Sequence, residues 1–280
     1  MKTRAKELIY TIVPLTIRKW LAILINRQTW LDSDKRSWWA TQIILDFAKK
    51  DVSAYHKFLW RHHLSYAESY ETDLRFGYDN LNETRKIFLS ELVDHLKKLG
   101  INPESEIKSV LDVGCSLGYL LRYIETDIFP GATVLDGNDI DKYTIEQGKE
   151  FLGSCKSKAN LIHADMEALE NIIGDKKYDV VFGAGILLYL KQDQANELVA
   201  KMMDHTSTML AFTGLAHPDI DNAKLDTSVT RESDKTWIHN IDKMITDAGG
   251  KIVARRWEGD KMVDGNTIYF LYAVPAQTKH

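Results

Sequence analysis

The pattern of apolar and polar positions changes near Gly100. Before it, apolar residues recur at helical spacing within charged runs that contain few glycines. This pattern predicts helices over residues 15–28, over about 33–50, and from a cap at Asn82 to Gly100. We therefore expect residues 1–104 to form an N-terminal helical region.

After Gly100, short apolar runs alternate with helical stretches. The runs predict five strands and the stretches between them predict four helices: strands 110–113, 132–138, 160–163, 178–182 and 208–213, with helices 118–125, 142–152, 166–173 and 191–204. Strands that alternate with helices form right-handed βαβ units and a parallel sheet. A helix over 235–248 and strands 251–257 and 267–274 close the chain. The prediction is an α/β, Rossmann-like fold over 105–280, with a seven-stranded, mostly parallel sheet and an antiparallel terminal strand.

Composition narrows the function classes. With 44% hydrophobic and 27% charged residues, the balance is that of a soluble globular protein, and the net charge of −4 argues against a general nucleic-acid binder. Cys115 and Cys155 form no CxxC pair, so we expect a reducing compartment and no metal site. The apolar stretch over 8–25 contains Arg18 and Lys19, which argues against a signal peptide or membrane span and favours a cytoplasmic location.

A glycine-rich turn follows the first predicted strand. Glycines between a strand and a helix let the backbone turn sharply and approach a ligand. A nicotinamide fingerprint would place glycine where Ser116 stands. The segment reads Asp112-Val113-Gly114-Cys115-Ser116-Leu117-Gly118. It resembles the first motif of class I S-adenosylmethionine (SAM)-dependent methyltransferases, D-x-G-x-G-x-G, with serine in the middle; a purely structural turn is the alternative. The resemblance, which covers about 105–275, implies SAM as cofactor, contacted here by Asp112, Gly114, Cys115, Ser116 and Gly118.

Three later strand ends carry further landmarks of that family. Asp139 resembles its acidic ribose ligand, with Ile140 beside it and Asp141 placed to cap the next helix. Asp165 and Met166 resemble the pair that contacts adenine, although Asp165 could simply cap the following helix. Gly183 matches a small-residue strand end that lines the cofactor.

The N-terminal region supplies two more expectations. Tyr66 and Tyr70 share one helix face and resemble a tyrosine-bearing segment that closes over SAM, although packing alone would explain them equally well. Residues 1–36 contain eight basic and three acidic residues, a net charge of +5. Such a helix can contact an anionic membrane peripherally, although a docked helix with a solvated basic face is the commoner arrangement.

The acceptor side is expected after the fifth strand. The connection over 214–235 is unusually long, which predicts a functional loop or lid. Residues 217–235 contain few large apolar side chains, so we expect this lid to open at a low free-energy cost. If the acceptor is a hydroxyl, a histidine base would assist, and His217 is the first candidate and His239 the second. A surface-loop role for His217 is the alternative.

Together these motifs predict a methyltransferase that acts on oxygen or nitrogen of a small-molecule or glycan-type acceptor, with nucleic acid disfavoured. Two alternatives stay open: a non-catalytic SAM-binding regulator or partner subunit, and a nicotinamide oxidoreductase. The oligomeric state has no indication in the sequence.

Overall fold

The computed structural model describes residues 3–28, 33–64, 81–231, 234–263 and 266–276. The chain divides into two compact units. One comprises Met1–Arg75 with Asp141–Tyr143, and the other comprises Phe76–Ile140 with Thr144–His280.

The first unit is helical where it is described. Its helices are α1 (Thr3–Ile12), α2 (Leu15–Asn26), α3 (Ser33–Gln42), α4 (Leu45–Lys50) and α5 (Val52–Arg61). The single helix predicted over 33–50 is broken after Gln42, where Ile43 and Ile44 both enter the small core of this unit. Arg18 is buried on α2 and forms a two-pronged ion pair with Asp46, because a buried guanidinium needs a charged partner.

The second unit is built on a seven-stranded sheet. Its strands are β1 (Ser109–Val113), β2 (Val134–Asp139), β3 (Asn160–His163), β4 (Tyr178–Ala184), β5 (Thr206–Gly214), β8 (Gly250–Val263) and β9 (Asn266–Pro275), and β6 (Val229–Thr230) pairs with β7 (Trp237–Ile238) in a separate hairpin. The order is β3-β2-β1-β4-β5-β9-β8, in which the first five strands are parallel and β9 runs antiparallel to both neighbours. The predicted fold is confirmed.

Helices connect and cover these strands. They are α6 (Glu83–Lys98), α7 (Pro103–Glu106), α8 (Tyr119–Tyr123, continued by a π-helical turn over Ile124–Ile128), α9 (Lys142–Ser154), α10 (Leu169–Ile173), α11 (Gln192–Asp204) and α12 (Ile241–Asp247). The Asn82 cap of α6 is confirmed, since its Oδ1 accepts a hydrogen bond from the Arg85 N–H. The helix predicted over 235–248 begins only at 241, because residues 237–238 pair with β6 and Asn240 caps α12.

The sheet is buried on both faces. Along β9, Ile268, Phe270 and Tyr272 enter one hydrophobic cluster, while Tyr269 and Leu271 enter another. Successive side chains of a strand point to opposite faces of the sheet, so a hydrophobic core forms on each face. Because both faces are buried, the sequence of each strand is a continuous apolar run.

Helix α6 belongs to the second unit, whereas the sequence pattern predicted that it would be part of the N-terminal helical region over 1–104. Its buried side chains include Phe88 and Leu92, and the Phe88 ring stacks on Tyr272 with centroids 5.6 Å apart. The Tyr272 hydroxyl also donates to the Phe88 carbonyl oxygen. The apolar face of α6 therefore covers the sheet near β9.

Candidate functional site

The parallel strands end at a common edge of the sheet. Strand β1 lies between β2 and β4, so the chain leaves the centre of the sheet towards β2 and β3 and later returns to β4 and β5. In open α/β sheets, ligands bind outside the carboxyl ends of the strands where the strand order reverses in this way. The turns after β1, β2 and β4 therefore form the candidate cofactor site.

The turn after β1 has an unusual backbone. Gly114, Ser116 and Gly118 have φ values of 78°, 49° and 77°, all in the left-handed region. Glycine adopts this region freely, whereas a serine there is strained and needs support from its surroundings. The Gly114 and Cys115 N–H groups supply support by donating to the Asn138 carbonyl oxygen at 2.8 and 3.0 Å.

Two of the predicted glycines also make room for a neighbour. A Cβ added at Gly114 would lie 2.3 Å from Ile186 Cγ2, and one added at Gly183 would lie 2.6 Å from Ile186 Cδ1. Ile186 therefore packs between the ends of β1 and β4. The glycine spacing itself gave no indication of this partner.

Asp112 is the most unusual ionisable group at the turn. It is buried on β1, and neither carboxylate oxygen has a hydrogen-bond partner among the described residues. Burial raises the pKa of Asp112 to about 8, and the nearby Asp139 acts in the same direction. A buried carboxyl without partners is costly, and it is suited to meet a cationic or hydrogen-donating ligand.

Asp139 lies at the end of β2 and contacts the same turn. Its Oδ2 accepts a hydrogen bond of 2.9 Å from the Ser116 N–H, which holds the carboxylate beside the turn. Ile140 follows it and is half-buried. This is the place where the resemblance puts the ribose ligand, and Asp141 caps the next segment by accepting from the Tyr143 N–H at 3.0 Å.

The end of β3 carries the predicted adenine pair. The Asp165 Oδ1 accepts from the Glu167 N–H at 3.1 Å and caps the short helical turn over Met166–Ala168. The capping alternative is thus present in the structure, and a cap does not prevent the carboxylate from binding a ligand as well. Met166 is half-buried against the second core cluster.

The remaining predicted cofactor contacts differ in accessibility. Cys115 is buried against Gly137, and burial raises the pKa of its thiol. The side chain therefore stays a neutral packing group beside the turn. Tyr66 and Tyr70 lie outside the described residues.

His217 is engaged with its own loop. Its Nδ1 accepts hydrogen bonds of 3.1 Å from the N–H groups of Asp219 and Ile220. The lone pair of this nitrogen is occupied, and the neutral ring carries its proton on Nε2. In this arrangement His217 acts as a turn cap, and it offers no lone pair to an acceptor proton.

His239 is buried and bonded at both ring nitrogens. Its Nε2 lies 2.9 Å from the Leu187 carbonyl oxygen and its Nδ1 lies 2.6 Å from Ser228 Oγ. Burial lowers the pKa of His239 to about 4, so the ring is neutral, donates to Leu187 and accepts from Ser228. The histidine thereby links Ser228 to Leu187 in the turn after β4.

Trp237 lies beside His239 and is a further candidate for contact with the acceptor. Its indole Nε1 is buried without a hydrogen-bond partner among the described residues, and its ring is nearly parallel to that of His239. A buried N–H without a partner is uncommon and calls for a ligand or water.

The loop after β5 is more firmly held than predicted. The fully buried Asn222 donates to the carbonyl oxygens of Leu215 and His239, and its Oδ1 accepts from the His217 N–H and from Trp257 Nε1. Four hydrogen bonds through one buried amide join the loop to β8 and to the start of α12. The expectation of a lid with little buried structure is therefore wrong for residues 215–225. A single asparagine gives no periodic signal from which this could have been read.

Within the described part of the chain, no group of three His, Cys, Asp or Glu residues could hold a metal ion. None of the described helices is long and apolar enough to cross a membrane.

Comparison with known proteins agrees with this geometry. Residues 110–208 match the family model of a methyltransferase domain. Malonyl-[acyl-carrier protein] O-methyltransferase of Halalkalibacterium halodurans is 28% identical over 126 residues, which are 45% of this chain and 45% of that relative. The chain thus spans about half the length of the curated relative that it matches.

Solved structures share the fold at low sequence identity. Magnesium protoporphyrin IX methyltransferase from Synechocystis PCC 6803, with bound SAM, has a TM-score of 0.52 and 18% identity, covering 78% of this chain and 96% of that one. A SAM-dependent methyltransferase from Clostridium acetobutylicum has a TM-score of 0.52 and 12% identity, with 76% and 98% coverage. Residues 110–208 therefore match a methyltransferase domain, and the second unit shares its fold with solved SAM-dependent methyltransferases.

Proposed function

We propose that this protein transfers the methyl group of SAM to an oxygen or nitrogen atom of a small-molecule or glycan-type acceptor. The observation that carries the proposal is the buried Asp112 carboxyl at a strained glycine turn. Its oxygens have no hydrogen-bond partner among the described residues, and the same turn holds Asp139 beside it. These two carboxyl groups fit a ligand that combines a positive charge with a ribose.

Each residue of the site has a distinct role in this proposal. Asp112 would meet the positively charged end of SAM, Asp139 would accept from the ribose hydroxyls, and Asp165 with Met166 would hold the adenine. When bound, SAM supplies an electrophilic methyl group that needs little further activation. The contribution of the chain is then to hold the acceptor atom in line, and proximity alone can supply a large part of the rate.

The acceptor side supports catalysis by positioning. The lone pairs of His217 and His239 are both occupied by internal hydrogen bonds. An acceptor that is already nucleophilic, such as a carboxylate or a neutral amine, would need no histidine base. The Trp237 N–H is available to donate to an oxygen of that acceptor.

Charge favours a small acceptor over nucleic acid. Residues 65–280 contain 24 basic and 35 acidic residues, a net charge of −11, and such a surface repels a phosphate backbone. The similar proteins are named for acceptors as different as malonyl-[acyl-carrier protein] and magnesium protoporphyrin IX. Their variety supports methyl transfer as the reaction and leaves the acceptor to experiment.

The test has two stages. Isothermal titration calorimetry should show binding of S-adenosylhomocysteine and SAM but not of NAD, and binding of NAD alone would refute the proposal. Transfer from labelled SAM to a panel of carboxylates, amines and sugar hydroxyls should then yield a methylated product. Tight binding of SAM without turnover on any member of the panel would favour the non-catalytic regulator instead.

A further inference from the structure

Exposed apolar side chains are concentrated in the first unit. Of the twelve large apolar residues that are exposed within the described ranges, eight lie between positions 8 and 45: Leu8, Ile12, Ile17, Trp20, Leu21, Trp38, Trp39 and Leu45. Single exposed apolar residues are ordinary on a soluble protein, but their concentration in one unit is typical of a region that contacts a partner.

Helix α2 shows the clearest arrangement. Ile17, Trp20 and Leu21 are 50%, 60% and 37% exposed, and their spacing places them on one face of the helix. Arg18 and Ala22 are buried on another face. The helix therefore buries one side in its own unit and presents a second, apolar side to the solvent.

Neighbouring helices repeat this feature. Leu8 and Ile12 are exposed one turn apart on α1, and the exposed Trp38 and Trp39 lie on α3 with ring centroids 5.0 Å apart. Tryptophan is enriched where a membrane meets water, because its ring is apolar and its N–H is polar.

The charge of this region is opposite to that of the remaining chain. Residues 1–64 contain twelve basic and five acidic residues, a net charge of +7, against −11 for residues 65–280. The buried pair of Arg18 with Asp46 contributes nothing to this balance, so the excess comes from other residues, including the exposed Arg27, Lys49 and Arg61. Basic residues beside an apolar helix face are attracted to anionic lipid headgroups.

We propose that α1–α3 bind the surface of an anionic lipid bilayer, with the Ile17–Trp20–Leu21 face of α2 inserted at the level of the headgroups. At 12 residues, α2 is too short to span the hydrocarbon core, so the helix lies on the membrane. An anionic lipid bilayer binds segments that combine an apolar helix face, neighbouring tryptophans and a locally positive charge, and this region has all three features.

Vesicle co-sedimentation of the full chain tests the proposal. We expect binding to vesicles that contain phosphatidylglycerol, weak binding to phosphatidylcholine alone, and release from the anionic vesicles as salt is raised. Trp20→Ser and Ile17→Glu should each weaken binding by about tenfold or more. Ile220→Glu and Leu99→Glu are matched controls, because they alter exposed apolar residues of the second unit, and they should leave binding within about twofold.

Thermal unfolding and S-adenosylhomocysteine binding confirm that each variant is folded. Equal binding to neutral and anionic vesicles, or unchanged binding of both α2 variants, would overturn the proposal. Sedimentation equilibrium supplies a further arm: a dimer that Trp20→Ser dissociates, together with no vesicle binding, would show that this face joins two copies of the chain instead.

Discussion

Replacement of Asp112 by asparagine tests the electrostatics of the candidate site directly. The pKa of this carboxyl is about 8 in the folded chain, against an ordinary value of 3.8. Between these values the folded state keeps a proton that the unfolded state has lost. The contribution of Asp112 to stability is therefore fully present below pH 3.8 and is lost as the pH rises to about 8.

The size of the effect follows from this difference. The folded state binds one more proton than the unfolded state across this interval, so Asp112 lowers the free energy of unfolding by about 1.4 kcal/mol per pH unit. At pH 7 the accumulated cost is on the order of 4 kcal/mol. Asp112→Asn removes this pH-dependent cost and so raises the free energy of unfolding at pH 7. The asparagine is itself a buried amide without partners, which lowers the free energy of unfolding again by about 1–3 kcal/mol.

Urea unfolding of the ligand-free protein and of Asp112→Asn from pH 5 to 8 measures the difference. We expect the variant to have the higher free energy of unfolding, by a difference that grows as the pH rises. We also expect the variant to bind SAM at least about tenfold more weakly than the wild type. Calorimetry at pH 7 in buffers of different ionisation enthalpy should show proton release when the wild type binds SAM, and none for the variant. Parallel stability curves together with unchanged proton release would refute the reasoning.

Four further predictions concern the turns and the loop. Asp139→Ala should weaken SAM binding by about 1.5–3 kcal/mol in calorimetry. Gly114→Val should destabilise the fold by about 2–5 kcal/mol in urea, because a Cβ there meets Ile186 at 2.3 Å on a backbone with φ of 78°. His217→Asn should keep turnover within about tenfold if the ring only caps its loop, against a loss of about 10²–10⁴-fold for a base. His239 has its pKa lowered to about 4, so stability present above pH 6.5 should fall by up to about 3 kcal/mol as the pH drops to 4, but not in His239→Gln.

Each of these predictions has its own control. For Asp139→Ala, an unchanged SAM affinity would show that the end of β2 does not contact the ribose. For Gly114, comparing Gly114→Ala in the wild type and in an Ile186→Ala background separates crowding from backbone strain, since the second background lacks the Ile186 Cγ2 atom that the new Cβ would meet. For His217, a pH-dependent loss of turnover in the asparagine variant would show that His217 acts as the general base. For His239, parallel acid unfolding of wild type and variant would mean that another group is responsible.

The sheet and the turn were predictable because they depend on local patterns. Burial on both faces makes each strand a continuous apolar run, and the right-handed crossover then fixes the parallel order. The glycine turn was likewise readable from Gly114 and Gly118, because their left-handed backbone excludes most other residues. Helix α6 was misplaced because its periodicity reveals an apolar face but does not say which core that face covers.

The acceptor side could not be read in the same way, because its geometry depends on long-range hydrogen bonds. The sequence offered two loop histidines as bases, and only the structure shows that Asp219, Ile220, Leu187 and Ser228 occupy their ring nitrogens. A histidine whose lone pair already accepts an internal hydrogen bond is better suited to hold a loop than to act as a base, since it must give up that hydrogen bond before it can take a proton. The same bonds hold the residues around Trp237, whose buried N–H has no hydrogen-bond partner in the described part of the chain. Specificity for the acceptor would then arise from a preformed loop that positions one acceptor atom. Such a loop is best suited to a methyl transfer in which the acceptor loses no proton at the moment of transfer.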